Sequence, residues 1–236
     1  MSYYNWQDDA ISAPTSQINV QSLFQWVYVW MAVGLLVTAG TAFLTINVPA
    51  LASLALSPAI WIAFIGELIL VFALSAAMTR LSPGVASLMF FVYAALNGFV
   101  LSSIFFLYTG GTNAAAFGAT AGLFGAMSIV GFTTKIDLTR FGSFFLMALI
   151  GIVVVMVINI FLQSSGLDLI ISLIGVLLFT ALTAYDTQRI KKMAAAAAQT
   201  DGSTLMKLSI LGALALYLDF INLFLFLLRI MGGSRR

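Results

Sequence analysis

Glu67, Asp186 and Asp219 are acids set in sequence that otherwise carries very little charge. Glu67 lies in WIAFIGELILVF, Asp186 in AYDTQ and Asp219 in LALYLDFINLF. A carboxylate at the centre of a bilayer costs about 2.5–3.5 kcal/mol on insertion scales, so intramembrane acids mark functional sites by default. Two carboxylates ~4 Å apart repel by roughly 4 kcal/mol at an effective dielectric of 20. Such a pair shares one proton and titrates as a unit. It responds to pH without any imidazole, and it offers hard oxygen ligands of the kind Ca²⁺ prefers.

The elements that must position these acids follow from composition. Of 236 residues, 62% are hydrophobic and 8% charged. Soluble domains carry about 25% charged residues. The solvent is therefore a bilayer and the chain is polytopic. The sequence contains no Cys and no His. That removes disulfides, thiolate zinc and iron–sulfur sites, cysteine nucleophiles, Ser-His-Asp triads and proximal-His haem. No span interior holds a Lys for a retinal Schiff base, and no phosphate-binding or dinucleotide fingerprint is present. No cofactor is expected, and the near balance of positive and negative charge offers no nucleic-acid patch.

Seven apolar stretches are long enough to cross ~30 Å of hydrocarbon as helices. They are Phe24–Ile46, Ala59–Met78, Val85–Tyr108, Ala114–Phe132, Phe144–Leu162, Leu169–Tyr185 and Leu208–Ile230. Turn residues separate most of them: Pro49, Ser57-Pro58, Ser82-Pro83-Gly84, Gly110-Gly111 and Ser164-Ser165-Gly166. The expected fold is an all-α membrane protein, a single domain over 23–236 behind a polar tail at 1–22. The long connection 186–207, with its alanine run at 194–198, reads as an extension of the sixth span and a loop.

Lys and Arg concentrate in alternate connections. Arg80, Lys135, Arg140, Arg189, Lys191, Lys192 and Lys207 follow the second, fourth and sixth spans, and the odd-numbered connections hold none. The positive-inside rule places these links and the N-terminus in the cytoplasm and the C-terminus outside. Arg229, Arg235 and Arg236 then lie on the disfavoured side.

Asp219 falls mid-span in the last helix, with Asn222 three residues on along the same face. The structural alternative is a protonated Asp bonded to a neighbouring helix. Asp186 sits at the inner end of the sixth span, where it can pair with Arg189 or, between helices, with Arg80. Glu67 is mid-span and level with Asp219, either on an ion pathway with Asn222 or simply satisfied inside the bundle. These span boundaries leave Asp186 and Asp219 about 10 Å apart in level at ~1.5 Å per residue. Asn97, Ser102, Ser103 and Asn159 read as cross-helix hydrogen-bonding groups, and Gly118, Gly122 and Gly125 as points of close helix approach.

Residues 214–232, LALYLDFINLFLFLLRIMG, and 183–191, TAYDTQRIK, resemble signatures of the Bax inhibitor-1 family. GAMSIVGFTTKIDLTRFG at 125–142 and LSPGVASLMFFVYAALNG at 81–98 resemble its bacterial members. The resemblance spans all seven helices. It implies a seven-helix bundle with the C-terminal helix central, and a pH-sensitive calcium leak of the inner membrane with Ca²⁺ as the transported ion. It implies that Asp186 and Asp219 form a carboxylate pair that senses pH and meets the metal ion. Arg80 matches an arginine that latches the helix-six aspartate, and Glu67 a helix-two glutamate. Beside the lipid bilayer and calcium, a second class of partner follows from bacterial members that resemble modulators of a membrane-bound AAA protease, with the tail at 1–22 as the handle. A diaspartyl membrane protease would need a GxGD motif, which YLDFIN lacks.

Overall fold

In a computed structural model the protein is described over residues 20–77, 80–196 and 202–233. The described residues are almost wholly helical. The helices are α1 (Val20–Asn47), α2 (Pro49–Ala55), α3 (Ile60–Ala77), α4 (Pro83–Phe105), α5 (Gly110–Thr133), α6 (Gly142–Leu162), α7 (Ser165–Ala196) and α8 (Gly202–Gly233), with a 3₁₀ turn at Leu138–Phe141. All except α2 are long and apolar enough to cross a membrane. The tail read as a protease handle lies outside the described residues up to position 19, as do 197–201 of the alanine-run connection and the terminal Arg235 and Arg236.

Several residues read as breaks instead start helices. Pro49 opens the short α2, where its missing N–H is one of the groups a first turn leaves unpaired in any case. Gly110 and Gly111 belong to the first turn of α5, because Thr109 caps it by accepting from the Thr112 N–H at 3.3 Å. Ser82 caps α4 in the same way, with Pro83 behind it. Gln163, in the left-handed region at φ 50°, ends α6.

The core is built around α8. Its apolar stretch is 67% buried, against 6% for α6 on the rim. Tyr217, Leu216, Ala213, Ile210 and Leu223 of α8 are completely covered. Helices α1, α4, α5 and α7 pack directly on α8, and α3 and α6 stand outside them. Large side chains such as Ile62, Leu107 and Phe161 point outward, as expected when lipid replaces water.

Close approaches occur at small residues, but not at those the sequence pointed to. A Cβ on Gly98 would strike the Thr38 carbonyl of α1, and one on Gly131 would strike the Ala184 backbone of α7. A side chain on Gly34 or Gly175 would enter the Phe90 or Phe226 ring. Gly118, Gly122 and Gly125 meet nothing. The packed face of α5 carries Ala116, Thr120, Phe124, Ser128 and Gly131, and the other three glycines lie off that stripe.

The boundaries of the last two spans need correction. Helix α7 continues eleven residues past Tyr185, and α8 begins six residues before Leu208. Hydropathy falls at AYDTQRIKK, yet the helix does not end there, because its last turns grip the connection between α5 and α6. Gln188, buried, accepts from the Leu138 N–H at 2.7 Å and donates to the Ile136 carbonyl at 2.8 Å. Lys191 Nζ donates to the Phe132 carbonyl, and Lys192 Nζ to Asp137 Oδ1 at 2.6 Å.

Candidate functional site: a carboxylate pair on the central helix

Helices α7 and α8 run antiparallel in a single register. Ile190 packs at Gly212, and Phe179 lies 5.8 Å from Phe226. Between these contacts the Asp186 and Asp219 carboxyls face each other within hydrogen-bonding reach. The gap expected from the shorter spans closes because Leu208 lies level with the end of the extended α7, and not with Tyr185.

The two acids have different surroundings. Asp219 is 4% exposed, and its Oδ2 has no hydrogen-bond partner among the described residues. Asp186 is 13% exposed and has Arg189 at 3.7 Å, one turn further along α7. Next to Asp219, Phe220 is held edge-on by Phe117 and Phe124 of α5, each with its ring centre 5.5 Å away. A contact between two acids is attractive only with a proton between them. The site can therefore hold a proton, release it and then accept a cation. Ca²⁺ takes 6–8 oxygen ligands, and among the described residues no third acid or other strong metal ligand joins the pair.

The other sequence candidates lie apart from this pair. Arg80, three residues past the end of α3, is exposed and makes no ion pair among the described residues; Arg189 lies beside Asp186 instead. Asn222 donates to the Leu218 carbonyl of its own helix at 2.8 Å. Glu67 is buried and is reached by Asn97 Nδ2 at 3.4 Å. It lies toward the opposite side of α8 from the pair, because its contacts reach α8 through Asn97 at Tyr217, two residues before Asp219. Two positions along a helix is a turn of about 200°. Ser102 and Ser103 bond within α4, and Asn159 accepts from the Ser164 N–H, so only Asn97 of that group reaches other helices.

Two features were not anticipated. Tyr217 Oη lies 3.0 Å from the Asn97 amide and 2.6 Å from Thr38 Oγ1, which ties α1, α3, α4 and α8 together. The tyrosine beside Asp219 in YLDF was visible in the sequence, but its direction was not. At the far end of α8, Arg229 lies 3.9 Å from Asp168 in the first turn of α7. The pair lines a cavity of about 650 Å³ shared with Tyr108 and Ser172. An acid opening the sixth span and an arginine closing the seventh belong at the same end of antiparallel helices, which was the available signal. Asp168 also offsets the charge of Arg229 near the end of α8.

The family model described as inhibitor of apoptosis-promoting Bax1 matches residues 20–236. The chain is 47% identical over 231 residues to the inner membrane protein YbhL of Escherichia coli K12, covering 97% of this chain and 98% of that protein. It is 45% identical over 229 residues to a protein of Deinococcus radiodurans, 97% of each. A Rickettsia prowazekii protein is 41% identical over 215 residues, 89% of this chain and 88% of the other.

Proposed function

The chain belongs to the Bax inhibitor-1 family, and from that premise we propose that it is a pH-controlled calcium leak of the inner membrane. The observation that carries this reading is the Asp186–Asp219 pair: two facing acids on the two most deeply packed helices, one with an unpartnered buried oxygen. Protonated, the pair holds α7 against α8. Deprotonated, it repels and presents oxygen ligands to a divalent cation. A change of protonation thus biases the bundle between two packings.

A cation on Asp186 tunes the switch. Arg189 has that place in this conformation, and Arg80 latches Asp186 in a second closed state. In this scheme the N-terminus and the basic links lie in the cytoplasm and the C-terminus outside. The Asp168–Arg229 cavity is then the outer approach to the pair.

The test is Ca²⁺ flux into proteoliposomes of the purified protein, scanned from mildly acidic to mildly basic pH, with Asp219→Asn alongside. We expect a pH-dependent flux that the variant loses. No flux above empty liposomes at any pH would reject the leak and favour the regulatory reading, in which deletion of 1–22 alters the output of a membrane-bound protease. Arg80→Gln is expected to raise flux at neutral pH; unchanged flux would leave Arg189 as the sole latch.

A further inference from the structure

Glu67 stands at one end of a chain of polar contacts whose proton count is informative. Asn97 Nδ2 lies 3.4 Å from Glu67 Oε2, and Asn97 Oδ1 lies 3.0 Å from Tyr217 Oη. Tyr217 Oη lies 2.6 Å from Thr38 Oγ1, and Thr38 Oγ1 lies 2.9 Å from the Ala94 carbonyl. Four contacts thus run from α3 through α4 and α8 to α1 and back onto α4. The close α1–α4 crossing at Gly98 and Gly34 holds Thr38 against Ala94.

Each hydroxyl has one proton to donate, and the Asn amide donates from one end only. If Glu67 is ionised, the donors all point toward it: Thr38 to Tyr217, Tyr217 to Asn97, Asn97 to Glu67. Thr38 then has no proton for Ala94, and two oxygens at 2.9 Å are left without a hydrogen between them. If Glu67 carries a proton, the chain runs the other way. Glu67 donates to Asn97 Oδ1 with the amide turned end for end, Asn97 donates to Tyr217, Tyr217 to Thr38, and Thr38 to Ala94. All four contacts of the chain then have a donor, and the Thr38 proton is shared between the Ala94 carbonyl at 2.9 Å and the Gly34 carbonyl of its own helix at 3.0 Å. The two amide orientations differ only by exchange of N and O, which have nearly the same shape. Tyr93 of α4 and Tyr217 of α8 are the titratable groups facing Glu67. Among the described residues no Lys or Arg pairs with it.

We propose that Glu67 is a second proton-binding site, distinct from the aspartate pair, whose proton sets the direction of a hydrogen-bond chain through Asn97 and Tyr217 to Thr38. Loss of that proton reverses the chain and frees the Thr38–Ala94 contact, which loosens α1 and α4 on the central helix. Asp219 and Tyr217 thus carry two proton-linked contacts on opposite sides of α8. The inference stands whether or not ions cross the bundle.

Infrared difference spectroscopy on the full chain in lipid vesicles tests it. At neutral pH the carbonyl stretch of a protonated carboxylic acid is expected to vanish in Glu67→Gln and to persist in Asp186→Asn and Asp219→Asn. In Tyr217→Phe and in Thr38→Val that band is expected to shift, since each change cuts the chain beyond Asn97. If Glu67→Gln removes a carboxylate stretch, or removes no acid band, the proposal is overturned. An unshifted band in both chain-cutting variants overturns the coupling to α1 and α8. Glutamine matches the shape of a protonated glutamate, so the first variant retains the packing of α3 on α4.

Discussion

Arg189 lies 3.7 Å from Asp186, while Asp219, which faces the same carboxyl, has no cation paired with it among the described residues. The pair is therefore asymmetric: one acid lies at the edge of the packed bundle with a positive neighbour, and the other is sealed in the core. Any proton shared between them is held against the pull of a single, half-exposed guanidinium.

From this asymmetry, Arg189→Gln is expected to move the pH response of flux toward higher pH, because without the guanidinium the pair keeps its shared proton to higher pH. Exposed ion pairs are worth up to about 1 kcal/mol, so the shift should be less than about 1 pH unit. A pH scan of Ca²⁺ flux in wild type and variant measures it. A shift toward lower pH would contradict the assigned role of Arg189.

Asp219→Asn and Asp186→Asn are each expected to flatten the pH response, since an amide cannot take part in proton sharing. Unchanged pH dependence in both variants would refute the gating mechanism while leaving the fold assignment intact.

The glycine contacts predict a contrast within α5. Gly131→Ala places a methyl against the Ala184 backbone and should cost about 1–3 kcal/mol, as overpacking does. Gly122→Ala meets open space and should change little. Thermal unfolding in one detergent compares them, and equal midpoints would show that α5 packs on another face.

The α5–α6 connection should loosen in acid. The hydrogen bond from Lys192, helped by Thr139, lowers the Asp137 carboxyl from 3.8 to about 2. A depressed acid stabilises above its unfolded value and loses that contribution as pH falls through its folded one. Hydrogen exchange at 134–141 should therefore rise as pH drops below about 4 toward 2, after correction for intrinsic rates. Lys192→Met should produce the same loosening at neutral pH. Gln188→Ala, which orphans the Leu138 N–H, should loosen the segment further, by about 1–3 kcal/mol. Protection unchanged in Lys192→Met would remove the ion pair from this account.

Much of the fold was legible in the residues themselves. Apolar length gave seven spans, and YLDFIN and AYDTQ gave the two aspartates. These are local properties, carried by each segment alone. The ends of α7 and α8 were not legible, because hydropathy follows lipid contact, and the last turns of α7 leave the lipid while remaining helical. Nor were the helix faces. In a soluble bundle, water outside and core inside leave an apolar stripe that points inward. Here lipid is as apolar as the core, so Gly122 and Gly131, or Tyr217 and Asp219, look alike in sequence. Only packing decided that Gly131 touches α7 and Gly122 touches nothing. Packing also turned Asp219 to Asp186 and Tyr217 to Asn97, and gave Asp186 to Arg189 instead of Arg80. Composition determined the solvent and the elements; the rotation and register of each helix were decided by close contact between backbones, which no single segment encodes.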